Sequence, residues 1–141
     1  MRELGDIDGG VHVTVEEDDD IGIGKIDGHS TAVITSRRGY ILVRGKIDGA
    51  SQVTLKAAGE VRVGEKIDGA SSVTVCRCAS MYIGEKIDGG SNASIYSTGP
   101  ITIKEKVDNP RTVVIWWGSS ITIPGGVNGG ALVEQRDWGG C

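Results

Sequence analysis

The chain has 141 residues, 15 of them basic and 19 acidic, with a formal net charge of −4. Lys and Arg are spread along its length, so neither a basic stripe for nucleic acid nor a polybasic membrane patch is expected. No apolar run reaches the length of a membrane span or a signal peptide, which makes one cytoplasmic domain of ordinary size the expectation.

Glycine is abundant at 23 residues, proline is scarce at 3, and phenylalanine is absent. Many tight corners around an interior too narrow for rings would use that composition.

An aliphatic-Asp-Gly phrase organises the chain. It occurs at Ile7-Asp8-Gly9, Ile26-Asp27-Gly28, Ile47-Asp48-Gly49, Ile67-Asp68-Gly69 and Ile87-Asp88-Gly89. It then weakens to Val107-Asp108-Asn109 and Val127-Asn128-Gly129. The aliphatic positions 7, 26, 47, 67, 87, 107 and 127 are separated by 19, 21, 20, 20, 20 and 20 residues. A fixed period of this size marks a solenoid.

After each phrase come two short alternating stretches. In the unit from Ile67 to Lys86 these are Ser72-Val73-Thr74-Val75 and Met81-Tyr82-Ile83, joined by Cys76 to Ser80. Period-two alternation bounded by Gly, Ser and Asp is a strand signal, and no window carries the spacing of an amphipathic helix.

Stacking the units predicts three inward columns. The phrase supplies the first. Val13/Val15, Ala32/Ile34, Val53/Leu55, Val73/Val75, Ala93/Ile95 and Val113/Ile115 supply the second. Ile21/Ile23, Ile41/Val43, Val61/Val63, Met81/Ile83, Ile101/Ile103 and Ile121/Ile123 supply the third. The predicted fold is all-β: a single-stranded parallel β-helix over residues 1–133, with about seven rungs of ~20 residues and three short strands per rung. Parallel crossovers favour the right-handed form, with a left-handed helix as the alternative. Residues 134–141 break the columns and form a tail, either capping the open end or loose.

The outward columns carry the candidate functional residues. Asp8, Asp27, Asp48, Asp68, Asp88 and Asp108 form a ladder that needs compensation for its stacked charge. Ser30, Ser51, Ser71 and Ser91, three residues on, suit an Asx-type bend. Lys25, Lys46, Lys66, Lys86 and Lys106 precede the Asp residues by two and would share their face. Calcium between rungs is a further possibility, but a structural turn ladder is the simpler reading, so no metal or other cofactor is expected.

The second strand predicts a flat, uncharged face, His12-Thr31-Gln52-Ser72-Asn92-Thr112 beside Thr14-Val33-Thr54-Thr74-Ser94-Val114. Thr14, Thr31, Gln52, Thr54, Ser72, Thr74, Asn92, Ser94 and Thr112 are its candidate interaction residues. Short β-branched residues also simply suit strands. Ice-binding solenoids carry comparable ranks of Thr, here interrupted. Tyr96, Trp116 and Trp117 form a candidate aromatic patch, with Tyr96 stacked on Trp116, that suits a contact surface or a sugar.

Cys76 and Cys78 lie too close together for an unstrained disulfide along a strand, and with Cys141 they read as free thiols in a reducing compartment. His12 and His29 fall in different columns, and no catalytic constellation emerges. The expected function is therefore non-enzymatic.

Short uninterrupted rungs, an aliphatic interior and the lack of long loops between Ile7 and Val133 resemble the bactofilins, bacterial β-helical proteins that polymerise end to end into filaments. The resemblance implies a structural protein whose partner is itself. The rival expectation is a glycan- or ice-binding module using the Thr-rich face or the aromatic patch.

Overall fold

The computed structural model describes residues 1–137 and Cys141. Its regular elements are fourteen strands: β1 (Arg2–Glu3), β2 (His12–Glu17), β3 (Ile21–Ile23), β4 (Thr31–Ser36), β5 (Ile41–Val43), β6 (Gln52–Ala57), β7 (Glu60–Val63), β8 (Ser72–Cys78), β9 (Ser80–Ile83), β10 (Asn92–Ser97), β11 (Pro100–Ile103), β12 (Val113–Trp117), β13 (Ser120–Thr122) and β14 (Leu132–Gln135). They form two seven-stranded parallel sheets, one in the order β1-β3-β5-β7-β9-β11-β13 and the other β14-β12-β10-β8-β6-β4-β2. The chain is a β-solenoid of about seven turns, as its period predicts. At about 4.8 Å per rung the rod is about 30 Å long.

The third side of each rung is narrower than the expected strand. It is a single bridging residue, and the ladder runs Ile7, Ile26, Ile47, Ile67, Ile87, Val107, Val127. The physical reason lies in the phrase itself. Gly69 has φ 67° and Ala70 φ 57°, so the chain leaves extended geometry two residues after Ile67. Glycine accepts that conformation readily; alanine adopts it against its steric preference.

The inward columns close into one dry core. Ile26, Ile47, Ile67, Ile87 and Val107 are fully buried, as are Ile34, Leu55, Val75, Ile95, Ile41, Val61 and Ile101. At about 2 kcal/mol per buried aliphatic side chain each rung gains roughly 10 kcal/mol of gross burial energy, most of it offset by chain ordering.

Two irregularities depart from the predicted columns. In the sixth rung Ala93 pairs with Val114 and Ile95 with Trp116. Val114 is therefore the buried residue and Trp116 packs against the core, while Val113 and Ile115 occupy the outward positions. The cause is one extra corner residue in Asn109-Pro110-Arg111-Thr112: five steps separate Asp88 from Ala93, but six separate Asp108 from Val114. The second irregularity is a bulge in β8. Leu55 pairs with Val75, but Lys56 pairs with Arg77, so Cys76 is the unmatched residue. A bulge admits one extra residue without losing the register on either side.

The seventh rung continues past Val133. β14 pairs with β12 through Ile115–Glu134 and Trp116–Gln135, and the Arg136 N–H donates to the Trp116 carbonyl. Trp138, Gly139 and Gly140, part of the expected tail, lie outside the described residues. Among the described residues no helix is long and apolar enough to cross a membrane.

Candidate functional site

The Asp ladder is built from two contacts, one repeated from Asp8 to Asp108 and the other, within the rung, from Asp48 to Asp108. Each carboxylate accepts the N–H of the next residue at 2.7 Å for Asp8, Asp27, Asp48, Asp68 and Asp88, and at 2.8 Å for Asp108. Its other oxygen meets lysine: Lys46–Asp48, Lys66–Asp68, Lys86–Asp88 and Lys106–Asp108 are each 3.2 Å apart. Lys25 differs, reaching back one rung to Asp8 at 3.8 Å. The Asn109 N–H, followed by Lys106, holds the Asp108 carboxyl below its ordinary range. Asp68 raises Lys66 in turn. Among the described residues no group of three or more His, Cys, Asp or Glu stands together for a metal.

The serines add an interior ladder to the bend: Ser51 Oγ donates to the Asp48 carbonyl, three residues back, at 2.8 Å. Ser30, Ser51, Ser71 and Ser91 are fully buried. Ser51 Oγ accepts the Ser30 N–H, Ser71 Oγ the Ser51 N–H, and Ser91 Oγ the Ser71 N–H, at 3.2–3.3 Å. This interior ladder satisfies backbone donors at the corner, where sheet pairing has not begun. Thr112 belongs to it: fully buried, it accepts the Gly90 N–H at 3.1 Å. Thr112 is thus removed from the outer face to which its spacing assigned it. The signal was legible in the Asp-Gly-x-Ser period, but the sixth-rung insertion concealed the match.

The other face residues lie on the outer side of the second sheet. His12, Thr31, Gln52, Ser72, Asn92, Val113 and Leu132 form one column in register. Thr14, Val33, Thr54, Thr74, Ser94, Ile115 and Glu134 form the next. The face is uncharged through six rungs and turns apolar at Val113, Ile115 and Leu132. Tyr96 pairs in register with Trp117 rather than Trp116, whose position is inward. The aromatic patch therefore consists of Tyr96 and Trp117.

The cysteines do not all stay free. Cys76, the unmatched residue of the bulge, is disulfide-bonded to Cys141, 65 residues away, which ties the C-terminal segment to the fourth rung. The nearby Cys78 is a poor partner for Cys76, as expected; the chain end supplies the other thiol. Cys78 is free and buried, its thiol pushed up to about 11, chiefly by desolvation.

The two ends of the rod differ. At the C-terminal end Val127 is 46% exposed and Leu132 47% exposed, with Ile121, Ile123 and Val133 partly buried beside them. At the N-terminal end Ile7 is buried. Arg2 shares the register position of the core residue Ile21 but remains exposed, and its Nε lies 3.8 Å from Glu17. An ion pair therefore lies at that end.

Comparison with known proteins finds no matching family model, no matching curated protein and no matching solved structure. The likeness to bactofilins rests on architecture.

Proposed function

We propose that the protein is a non-enzymatic structural scaffold that associates end to end with further copies of itself. One observation carries the reading. The ends are offset by part of a rung: β1 precedes the first phrase residue in one sheet, while β14 extends beyond β13 in the other. Placing the N-terminal end of one copy on the C-terminal end of another brings β1 beside β13, Ile7 beside Val127, and β2 beside β14. All three sides then continue, and the inward apolar surface at Val127, Val133 and Ile121 is covered. Unpaired parallel edges template such pairing, and a head-to-tail interface that does not close gives an open filament.

The Arg2–Glu17 pair sets the cost of this contact, because Arg2 would meet the Ile121 column. The two uncharged columns on the outer side of the second sheet offer a lateral route between rods. The Cys76–Cys141 bond belongs to an oxidising environment, so activity in a cytoplasm would involve both thiols free.

Light scattering during size-exclusion chromatography tests the reading. Mass should rise with concentration, fall to one chain in Val127→Glu, and rise further in Arg2→Val. A strict monomer at high concentration, unchanged by Arg2→Val, would overturn it.

A further inference from the structure

The third outward column of the second sheet reads Glu16, Thr35, Lys56, Arg77, Tyr96, Trp117 from rung to rung. Its middle is unusual. Lys56 and Arg77 are register partners on adjacent strands, both exposed. Like charges in that position repel, and neither has a carboxylate within ion-pair distance among the described residues. Elsewhere on this acidic chain the basic residues beside the ladder are neutralised: Lys46, Lys66, Lys86 and Lys106 each meet an Asp. Arg37 is held by Glu16 at 2.6 Å and Asp18 at 2.8 Å.

The pair also lies where two surface grooves meet. One, of about 460 Å³, includes Glu16, Thr35, Ser36, Arg37, Lys56 and Arg77, with Glu16 paired to Arg37. The other, of about 380 Å³, includes Lys56, Cys76, Arg77, Tyr96 and Thr98. Two cations outside any ion pair, hydroxyls and an aromatic side chain thus line the depression where the two grooves adjoin, together with the Glu16 carboxylate and the Cys76–Cys141 disulfide. Its presence follows from the β8 bulge, since without the extra residue Cys76 rather than Arg77 would oppose Lys56.

We propose that this depression binds an acidic glycan, with a sulfate or carboxylate group between Lys56 and Arg77 and an adjoining sugar ring against Tyr96. Arg77 offers a planar fork that matches an oxyanion, and Lys56 a point charge. The anion relieves the repulsion between them. Tyr96 supplies apolar area with a polar tip, the surface that a sugar's C–H face covers. The site is independent of the rod ends and does not rest on end-to-end association.

The test uses the intact protein, a defined sulfated hexasaccharide, its desulfated counterpart and inorganic polyphosphate, with affinity read by calorimetry at low and moderate salt. The sulfated sugar should bind and the desulfated one fail. Lys56→Gln with Arg77→Gln should weaken binding at least tenfold, and raised salt should weaken it too. Tyr96→Ala should weaken the sulfated sugar several-fold and leave polyphosphate unchanged. Lys104→Gln with Arg111→Gln, two cations that line neither groove, should change neither. Circular dichroism establishes that each variant retains the rod. Absence of binding at low salt, equal loss in the Lys104/Arg111 control, or indifference of the sulfated sugar to Tyr96→Ala would overturn the proposal.

Discussion

The carboxylate of Asp48 occupies the space that a side chain on Gly69, one rung later, would need. The same relation links Asp8 to Gly28, Asp27 to Gly49, Asp68 to Gly89 and Asp108 to Gly129. The phrase is Asp-Gly because each carboxylate folds over its own next N–H and presses on the glycine above. That glycine also has positive φ. Gly69→Ala should therefore cost about 2 kcal/mol or more, from left-handed strain and displacement of Asp48. Ala70→Gly, which relieves strain at φ 57°, should stabilise by up to about 1 kcal/mol. Urea denaturation of both variants measures the contrast; equal and small effects would remove the ladder from the account.

Ile67 is fully buried between Ile47 and Ile87. Ile67→Asp places a charge there without a partner and should cost about 4 kcal/mol or more, enough to melt the central rungs. A melting temperature equal to that of the parent protein would mean the inside and outside are wrongly assigned.

Closing a loop of 65 residues through Cys76–Cys141 limits the unfolded chain. The chain-entropy estimate for such a loop is about 4 kcal/mol. Cys141→Ser should lower stability by up to that amount, and hydrogen exchange should show β12 and β14 losing protection first. Unchanged exchange there would mean the bond does not hold the last rungs.

Cys78 has its thiol pushed up to about 11 by burial. Because the folded state holds the proton more tightly, this group's contribution is complete below about pH 9 and is lost as pH rises towards 11. The folded protein should resist alkylation at pH 8 and lose stability through that alkaline window. Cys78→Ala should flatten the alkaline loss; rapid labelling of the native protein would contradict the burial.

Most of the architecture could be read from period and alternation, since a 20-residue repeat of Ile, Val and Asp-Gly admits few packings. What escaped the sequence depended on single insertions. The extra residue before Val113 exchanges inside for outside across the sixth rung, because side chains alternate with period two. It hid Thr112 in the core and moved Tyr96's partner from Trp116 to Trp117. The bulge at Cys76 has the same origin: nothing in Val75-Cys76-Arg77 announces a slipped pairing, so neither the Cys141 bond nor the Lys56–Arg77 neighbourhood was visible. The serine ladder was periodic in the sequence, but its donors are backbone groups that side-chain patterns do not display.

End-to-end continuation of the rod is tested most directly by a cross-link between copies. In the continued second sheet, Leu132 of one copy would stand beside His12 of the next, at the spacing of neighbouring strands and within disulfide reach. A His12→Cys, Leu132→Cys double variant under mild oxidation should give a ladder of covalent multimers, absent when either substitution is made alone. A double variant that stays monomeric on denaturing gels, at concentrations where both thiols remain titratable, would contradict head-to-tail assembly.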